Sequence, residues 1–236
     1  YVNKSVYKIT KLEMIGGLIC GFCLYAGYAF QNFGLIETTP SKSAFITSVS
    51  VIMVPMILFL FGLRKVQLKI WVATFLAIIG LYILLDPTGE GLNIGDMLTF
   101  GCALSFAAHI ILQDSYISKG INIAHLLLVQ LFYVTLFSFL SIILFEDFVI
   151  TVSGRLINAI LITGVFGTFI ALFIMIWAQT ILGPSQTAIL LSLEPVFAAL
   201  FSTFFAGEIL GVHGWVGGAI IVFAILSLEI LPSKKT

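Results

Sequence analysis

Residues 183–228 read GPSQTAILLSLEPVFAALFSTFFAGEILGVHGWVGGAIIVFAILSL, and residues 39–84 read TPSKSAFITSVSVIMVPMILFLFGLRKVQLKIWVATFLAIIGLYIL. The two stretches are copies set 144 residues apart (184 − 40). Pro184-Ser185 answers Pro40-Ser41, Ala188 answers Ala44, Ser192 answers Ser48, and Trp215-Val216 answers Trp71-Val72. At the same spacing Glu208 falls opposite Arg64, each closing a long apolar run, so the charge changes sign between copies. A self-similarity of this kind organises the whole chain and is read before any single residue.

The copies are apolar throughout, and so is the rest. Hydrophobic residues make up 60% of the chain and charged residues 9%, with a mean hydropathy of +1.17. Soluble domains carry roughly 25% charged residues. Eight apolar runs predict membrane spans at about 14–36, 44–63, 69–85, 97–116, 123–145, 156–182, 187–206 and 209–231. A span needs about 17–25 residues. The runs are continuously apolar rather than alternating at period two, which argues against a transmembrane barrel.

Lys and Arg sort by side. With the first eleven residues placed inside, Lys4, Lys8, Lys11, Arg64, Lys65, Lys69, Lys119, Lys234 and Lys235 are cytoplasmic, leaving Lys42 and Arg155 outside. The outer loops are acidic, with Asp86, Glu90 and Asp96 in one and Glu146 and Asp147 in another. The positive-inside rule therefore puts both ends of this chain in the cytoplasm. It also places Arg64 inside and Glu208 outside, which makes the two copies inverted with respect to each other. Membrane repeats of opposite orientation are a signature of many secondary transporters.

The second copy belongs to a block of five spans starting near Asn93, whereas the block before it holds three. Carrying the offset back places the start of the first block roughly 50 residues ahead of Tyr1, enough for two more spans. The expected fold is all-α: a membrane helical bundle of two inverted-topology repeats, ten helices in all, eight of them in this chain. Residues 1–88 would hold the last three helices of the first half and residues 89–236 the five of the second. DPTGEGLNIGD, residues 86–96, reads as the linker between them.

The sequence GLIETTPSKSAFITSVSVIMVPM with LRKVQLKIWVATFLAIIGLYIL, and the second copy quoted above, resemble the drug/metabolite transporter superfamily, EamA type. In the second copy the resemblance is carried by Ser192, Leu193, Pro195, Val196 and Phe197, then Gly207-Glu208, then Trp215. The first copy departs from it, with its proline at Pro55 rather than position 51 and Leu63-Arg64 in place of Gly-Glu. The resemblance implies ten helices, a central substrate cavity and alternating access. It implies a small-molecule substrate of amino-acid, metabolite or drug type, without choosing among them, and a cytoplasmic (inner) membrane location.

Polar residues inside the spans indicate where such a cavity would lie, because polar groups in hydrocarbon usually face the bundle interior. Ser43, Thr47 and Ser50 share one helical face. The offset carries them to Thr187, Leu191 and Glu194. Glu194 is the sharpest candidate, since an ionised acid at this depth costs roughly 2.5–3.5 kcal/mol. Pro195 beside it lacks an N–H and cannot bond the Leu191 carbonyl, so Pro195 and Pro55 are the expected kinks. A kink beside an ionisable group suits a substrate contact or a proton site, hence an expectation of proton coupling; it also suits a neutral acid bonded to a neighbouring helix. Ser105 and His109 share a face of the fourth span, Tyr25, Tyr28 and Gln31 mark the first, and Trp177 and Gln179 end the sixth. Each could line the cavity or serve packing.

Other readings find less support. No nucleophile elbow, zinc-binding helix motif or phosphate loop occurs, so no catalytic residue, metal site or cofactor is expected. No basic tract suggests nucleic acid, and Cys20-x-x-Cys23 reads as small residues at a packing face. Gly17/Gly21 and Gly214/Gly218 read as close helix contacts within the chain. The lipid bilayer is the expected surrounding, and the sequence fixes no oligomeric state. An intramembrane lipid-modifying enzyme or a membrane scaffold is the alternative, and neither needs an inverted repeat.

Overall fold

The structure, a computed structural model, describes residues 8–38, 40–85, 92–145, 152–201, 203–204 and 211–230. Every regular element among them is helical. In chain order these are α1 (Lys11–Glu37), α2 (Pro40–Ser48), α3 (Ser50–Leu60), α4 (Leu68–Leu85), α5 (Ile94–Ile117) and α6 (Ile123–Phe145). They are followed by α7 (Gly154–Leu161), a π-helical stretch (Ile162–Ile170), α8 (Ala171–Gln179), α9 (Pro184–Leu191), α10 (Leu193–Phe201) and α11 (Val212–Ile230). The protein is an all-α membrane protein, and helix stands at each of the eight runs read from the sequence. Lys11–Glu37, Ser43–Leu60, Ile94–Ile117, Ile123–Leu144 and Gly154–Gln179 are long and apolar enough to cross a membrane, while Leu68–Leu84 and Val212–Ser227 are shorter apolar helices. Glu208, most of the 86–96 linker and the terminal lysines Lys4, Lys234 and Lys235 lie outside the described residues.

Helix ends follow local chemistry. Thr10 and Glu13 form a capping box at the start of α1: Thr10 N donates to Glu13 Oε2 at 2.7 Å and Glu13 N to Thr10 Oγ1 at 3.2 Å. Asn93 and Asp96 do the same for α5, at 2.9 Å in both directions. Gly62 and Gly120, with φ of 61° and 74°, follow the last turns of α3 and α5. That left-handed backbone is where glycine ends a helix without strain.

The second and seventh spans are broken, at places that correspond in the two copies to within one residue. Val49 N bonds Ile46 O at 3.1 Å and Ser192 N bonds Ile189 O at 3.1 Å, so each break is a turn of i→i−3 type. Serines shared by the copies stand there, with Ser48 Oγ donating to Ala44 O at 2.8 Å and Ser192 Oγ to Ile189 O. Side-chain bonds of this kind compete with the helical ladder. Pro55, expected as a kink, is not where the second span breaks. It lies inside α3, six residues past the break. Pro195 falls in the first turn of α10, three residues past Ser192, where a helix does not need its N–H.

The chain separates into two compact units, Tyr1–Tyr25 with Leu112–Leu182, and Ala26–Ile111 with Gly183–Thr236. In the first, α1 runs parallel to α6. Gly17 lies against Val129, and a Cβ at Gly21 would stand 2.8 Å from Gln130 O. Cys20, Tyr116 and Leu126 form its buried cluster. Phe22 and Tyr25 pack on Phe137, with centroids 5.8 and 5.5 Å away.

In the second unit the later part of α1 runs antiparallel to α5, with Gly27 facing Phe106 and Gly34 facing Thr99. The repeat-related helices α4 and α11 pack on each other. Gly217 meets Gly80 and Leu84, Gly80 meets Ile221, and Ala73 and Ala77 share a buried cluster with Ala224. Rising numbers on one helix meet falling numbers on the other, so α4 and α11 are antiparallel. The Gly80–Gly217 contact has an image under the 144-residue offset at positions 73 and 224, which share a buried cluster. Gly218 of the predicted Gly214/Gly218 pair lies against Val196 of α10, and the closest approach of α4 to α11 rests on Gly217 and Gly80.

Thr74 on α4 is fully buried, and its Oγ1 has no hydrogen-bond partner among the described residues. Replacing a buried unsatisfied hydroxyl by a methyl of the same shape removes a desolvation cost of about 1 kcal/mol or more. Thr74→Val is expected to leave the thermal midpoint in detergent unchanged or raise it. A drop of several degrees would show that the hydroxyl is satisfied in the folded protein.

Candidate functional site

The two breaks give the site its frame, because interrupted helices at corresponding positions of two halves mark the binding region of many transport folds. α2, α3, α9 and α10 meet here within the second unit. α3 packs on α9, with Met53, Val54, Leu58 and Ala188 in one buried cluster with Ala103 and Ala107 of α5. Val196 of α10 packs on Leu81 of α4, flanked by Phe45 and Leu193.

Polar groups collect at the breaks. Thr47 Oγ1 lies 3.8 Å from Cys102 Sγ of α5, and Ser43 Oγ lies 3.5 Å from Thr99 Oγ1. Tyr28 of α1 packs edge-to-face with Phe106, with centroids 5.8 Å apart. Its hydroxyl lies within electrostatic reach of both the Glu194 carboxyl and the Cys102 thiol. Glu194 occupies the first turn of α10 with its side chain exposed. Thr47 with Cys102, and Tyr28 with Phe106, thus tie α2 and α1 to α5. Ser50 and Gln31 are half-buried.

The remaining candidates fare differently. Ser105 donates to Gly101 O at 2.8 Å and Thr187 to Gly183 O at 3.1 Å, so both hydroxyls are engaged by their own helices. His109 is buried at 2% exposure. Three candidates belong to the other unit. There the Tyr25 hydroxyl bonds Ser141, Gln179 accepts from Gln113 Nε2 at 2.6 Å, and Trp177 is 54% exposed.

Gln113, Gln130, Asp114 and Glu13 are buried polar residues that the sequence reading does not single out, and Asp96 reads there only as a loop acid. Gln113 and Gln130 are fully buried inside spans, where their depth alone was a sufficient signal. Asp96 accepts from Thr38 Oγ1 at 2.6 Å besides capping α5. Glu13, in the first unit, also accepts from Asn122 N and lies against His125 Nδ1, both at 3.0 Å. Thr10-x-x-Glu13 and Asn93-x-x-Asp96 are capping spacings and could have been read as such. His125 is half-buried in this contact. Among the described residues no group of three or more His, Cys, Asp or Glu is placed to hold a metal.

Residues 93–229 match the EamA-like transporter family. A protein of Archaeoglobus fulgidus named as an uncharacterized transporter is 34% identical over 219 residues, covering 91% of this chain and 68% of its own length. The S-adenosylmethionine uptake transporter of Rickettsia prowazekii is 27% identical across the whole chain, covering 78% of its own length. A crystal structure of another protein superposes with a TM-score of 0.76 over 94% of this chain and 88% of its own, at 16% identity. That last likeness shows the fold alone.

Proposed function

Because the chain belongs to the EamA-like transporter family, we propose that it carries a small zwitterionic or amphipathic metabolite across the cytoplasmic membrane by alternating access. It is a multi-pass membrane transporter of small solutes. The observation that carries the finer reading is the pair of breaks, at Val49 and Ser192, which correspond to within one residue, beside the antiparallel α4–α11 contact. Two halves of inverted orientation give two interchangeable packings, and joints at matching depths let one site open to either side.

In this proposal residues 1–88 and 89–236 are the parts contributed by the two halves. Both ends of the chain lie in the cytoplasm, on the nine-to-two sorting of Lys and Arg. Tyr28, Gln31, Ser43, Thr47, Ser50 and Glu194 line the solute path, with a proton gradient as the drive. The name of the Rickettsia relative supports an amino-acid-bearing metabolite as the cargo.

Reconstituted protein is expected to take up at least one solute from a panel of amino acids, S-adenosylmethionine and amphipathic drugs. An imposed pH gradient should speed that uptake, and uptake indifferent to the gradient would remove the proton. Failure across the panel would count against the transport reading and favour a scaffold. Thr47→Val should fold normally and weaken the apparent affinity roughly fivefold, the loss of about 1 kcal/mol expected for one neutral hydrogen bond. An unchanged KM would take Thr47 off the path.

A further inference from the structure

Resting on that transport reading, we propose that Ile162–Ile170 is a register switch in the sixth span, π-helical in the state seen here and α-helical in the alternate state of the cycle. The change turns α7 by about 100°, one residue's worth of helix, while α8 stays in place. The hydrogen bonds record where the register slips. Ile162 N bonds Asn158 O, four residues back, whereas Ala171 N bonds Phe166 O, five back. Two hydroxyls follow the same change: Thr163 Oγ1 donates to Ala159 O at 2.7 Å, and Thr168 Oγ1 to Thr163 O at 2.9 Å. One extra residue is therefore taken up between the flanking helices. Such turns are rare and are found mostly as single bulges, often at functional sites. Here the stretch runs for nine residues.

Packing does not hold the stretch in this form. No residue of α7 or of the π-helical stretch is buried, and a Cβ at Gly164 would meet nothing within 4 Å. α8 is anchored instead, by buried Leu172 and Ile176 and by the Gln113 Nε2 bond to Gln179 Oε1 at 2.6 Å. A change of register is thus taken up by α7. Arg155 and Asn158, three residues apart, share one side of it and turn with it.

The repeat supplies an internal comparison. Under the 144-residue offset, residues 162–170 fall on 18–26, which lie inside the uninterrupted α1. Gly164 and Gly167 answer Cys20 and Cys23 there, and Thr163 and Thr168 answer Ile19 and Leu24. Cys20 and Leu24 are buried, so packing holds that copy in the α register. The second copy has glycine, with its freer backbone, at both matching positions and no such packing. Alternating access requires the two inverted halves to be unlike in each state, since a symmetric pair would open to both sides or to neither. The α/π contrast is such a difference, at corresponding depth in the two copies.

The test reads which way each helix faces. A nitroxide-bearing amino acid is placed singly at positions 155–161 and at 173, 174, 177 and 178 of the protein in nanodiscs. Its collision rates with oxygen and with a water-soluble nickel chelate give the facing of α7 and α8. Wild type is compared with Gly164→Ala/Gly167→Ala, where the nearest atom to either Cβ is 3.8 Å away, and with a deletion of Gly164. Alanine, the strongest α-former, should favour the α register roughly tenfold. The face of α7 should then turn by about 100° while α8 keeps its own. The deletion removes the extra residue and should keep the present facing of α7 on a plain α-ladder. The single variants Gly164→Ala and Gly167→Ala, with smaller shifts of the same sign, serve where the double variant is not monodisperse. An α7 that faces alike in wild type and the alanine variants, or an α8 that turns with it, would overturn the switch.

Transport is read separately in proteoliposomes. The double-alanine and deletion variants each hold one register, so both should move a panel solute about tenfold more slowly than wild type. If α7 turns as expected and both variants transport like wild type, the register has no part in the cycle: this inference falls and transport stands. If α7 turns as expected and wild type moves nothing, the two registers stand and the transport reading falls.

Discussion

Gly217→Val is expected to leave little folded protein. A Cβ at this position would stand 2.6 Å from Gly80 O and closer still to the backbone N of Leu84. Both obstacles are main chain, so no rotamer change relieves the clash, and α4 and α11 must separate along their shared seam. Overpacking typically costs 1–3 kcal/mol, and a backbone-to-backbone clash belongs at about 3 kcal/mol or above. Gly217→Ala should already lower the thermal midpoint in detergent markedly, despite the roughly 1 kcal/mol that alanine gains over glycine in a helix. The neighbouring Gly218→Ala is the control: its Cβ would meet only Val196 Cγ1 at 3.5 Å, an ordinary contact. It should be neutral or stabilising. Monodispersity and melting of the three variants decide the matter, and a Gly217→Ala protein as stable as wild type would mean that the seam is looser than described.

Glu13→Ala is the second large effect, and it acts through a different cause. The Glu13 carboxylate accepts from the backbone N–H groups of Thr10 at 2.7 Å and Asn122 at 3.0 Å, and touches His125 Nδ1 at 3.0 Å. It therefore ties the start of α1 to the start of α6 while buried at 4% exposure. Both helix N-termini carry partial positive charge, which an acid complements. Hydrogen bonds to charged groups contribute about 1.5–3 kcal/mol each. A loss of about 3 kcal/mol is expected for Glu13→Ala. His125→Ala should cost less, since both backbone donors keep their acceptor. Melting in detergent checks the order, and equal losses for the two variants would show that the imidazole, rather than the two N–H groups, holds the tie.

The eight helices were legible because each is an uninterrupted apolar run, and the period of the copies announced their relation. The location of the breaks was not. Pro55 is the visible disruptor in the first copy, yet the ladder gives way at Val49, where Ser48 turns its hydroxyl back onto Ala44. A serine in a span reads equally well as cavity lining or as back-bonding, and only the folded chain chooses. Ser43 and Thr47 reached across to α5, whereas Ser105 and Thr187 closed onto their own helices. The glycine seam was hidden for a similar reason: Gly80 stands alone in its helix, and its partner Gly217 is separated from it by 137 residues of chain. Glu194 stood out by depth, whereas the pairing of Thr47 with Cys102 and of Tyr28 with Phe106 joins different helices and emerges only in three dimensions.

The glycine seam also sets where this unit can deform. Interlocked backbones at Gly80 and Gly217 resist sliding, since a shift along the axis drives one main chain into the other. The turns at Val49 and Ser192 each lack a regular rung of the helical ladder and bend at little cost. Stiffness thus runs down the middle, along α4 and α11, with compliance at two points beside it. Like a beam carrying two flexures, such an element keeps its own length and direction while the short segments α2 and α9 tilt against it. Amide exchange would register the contrast as slow exchange along residues 73–84 and 217–224, with fast exchange confined to the two turns.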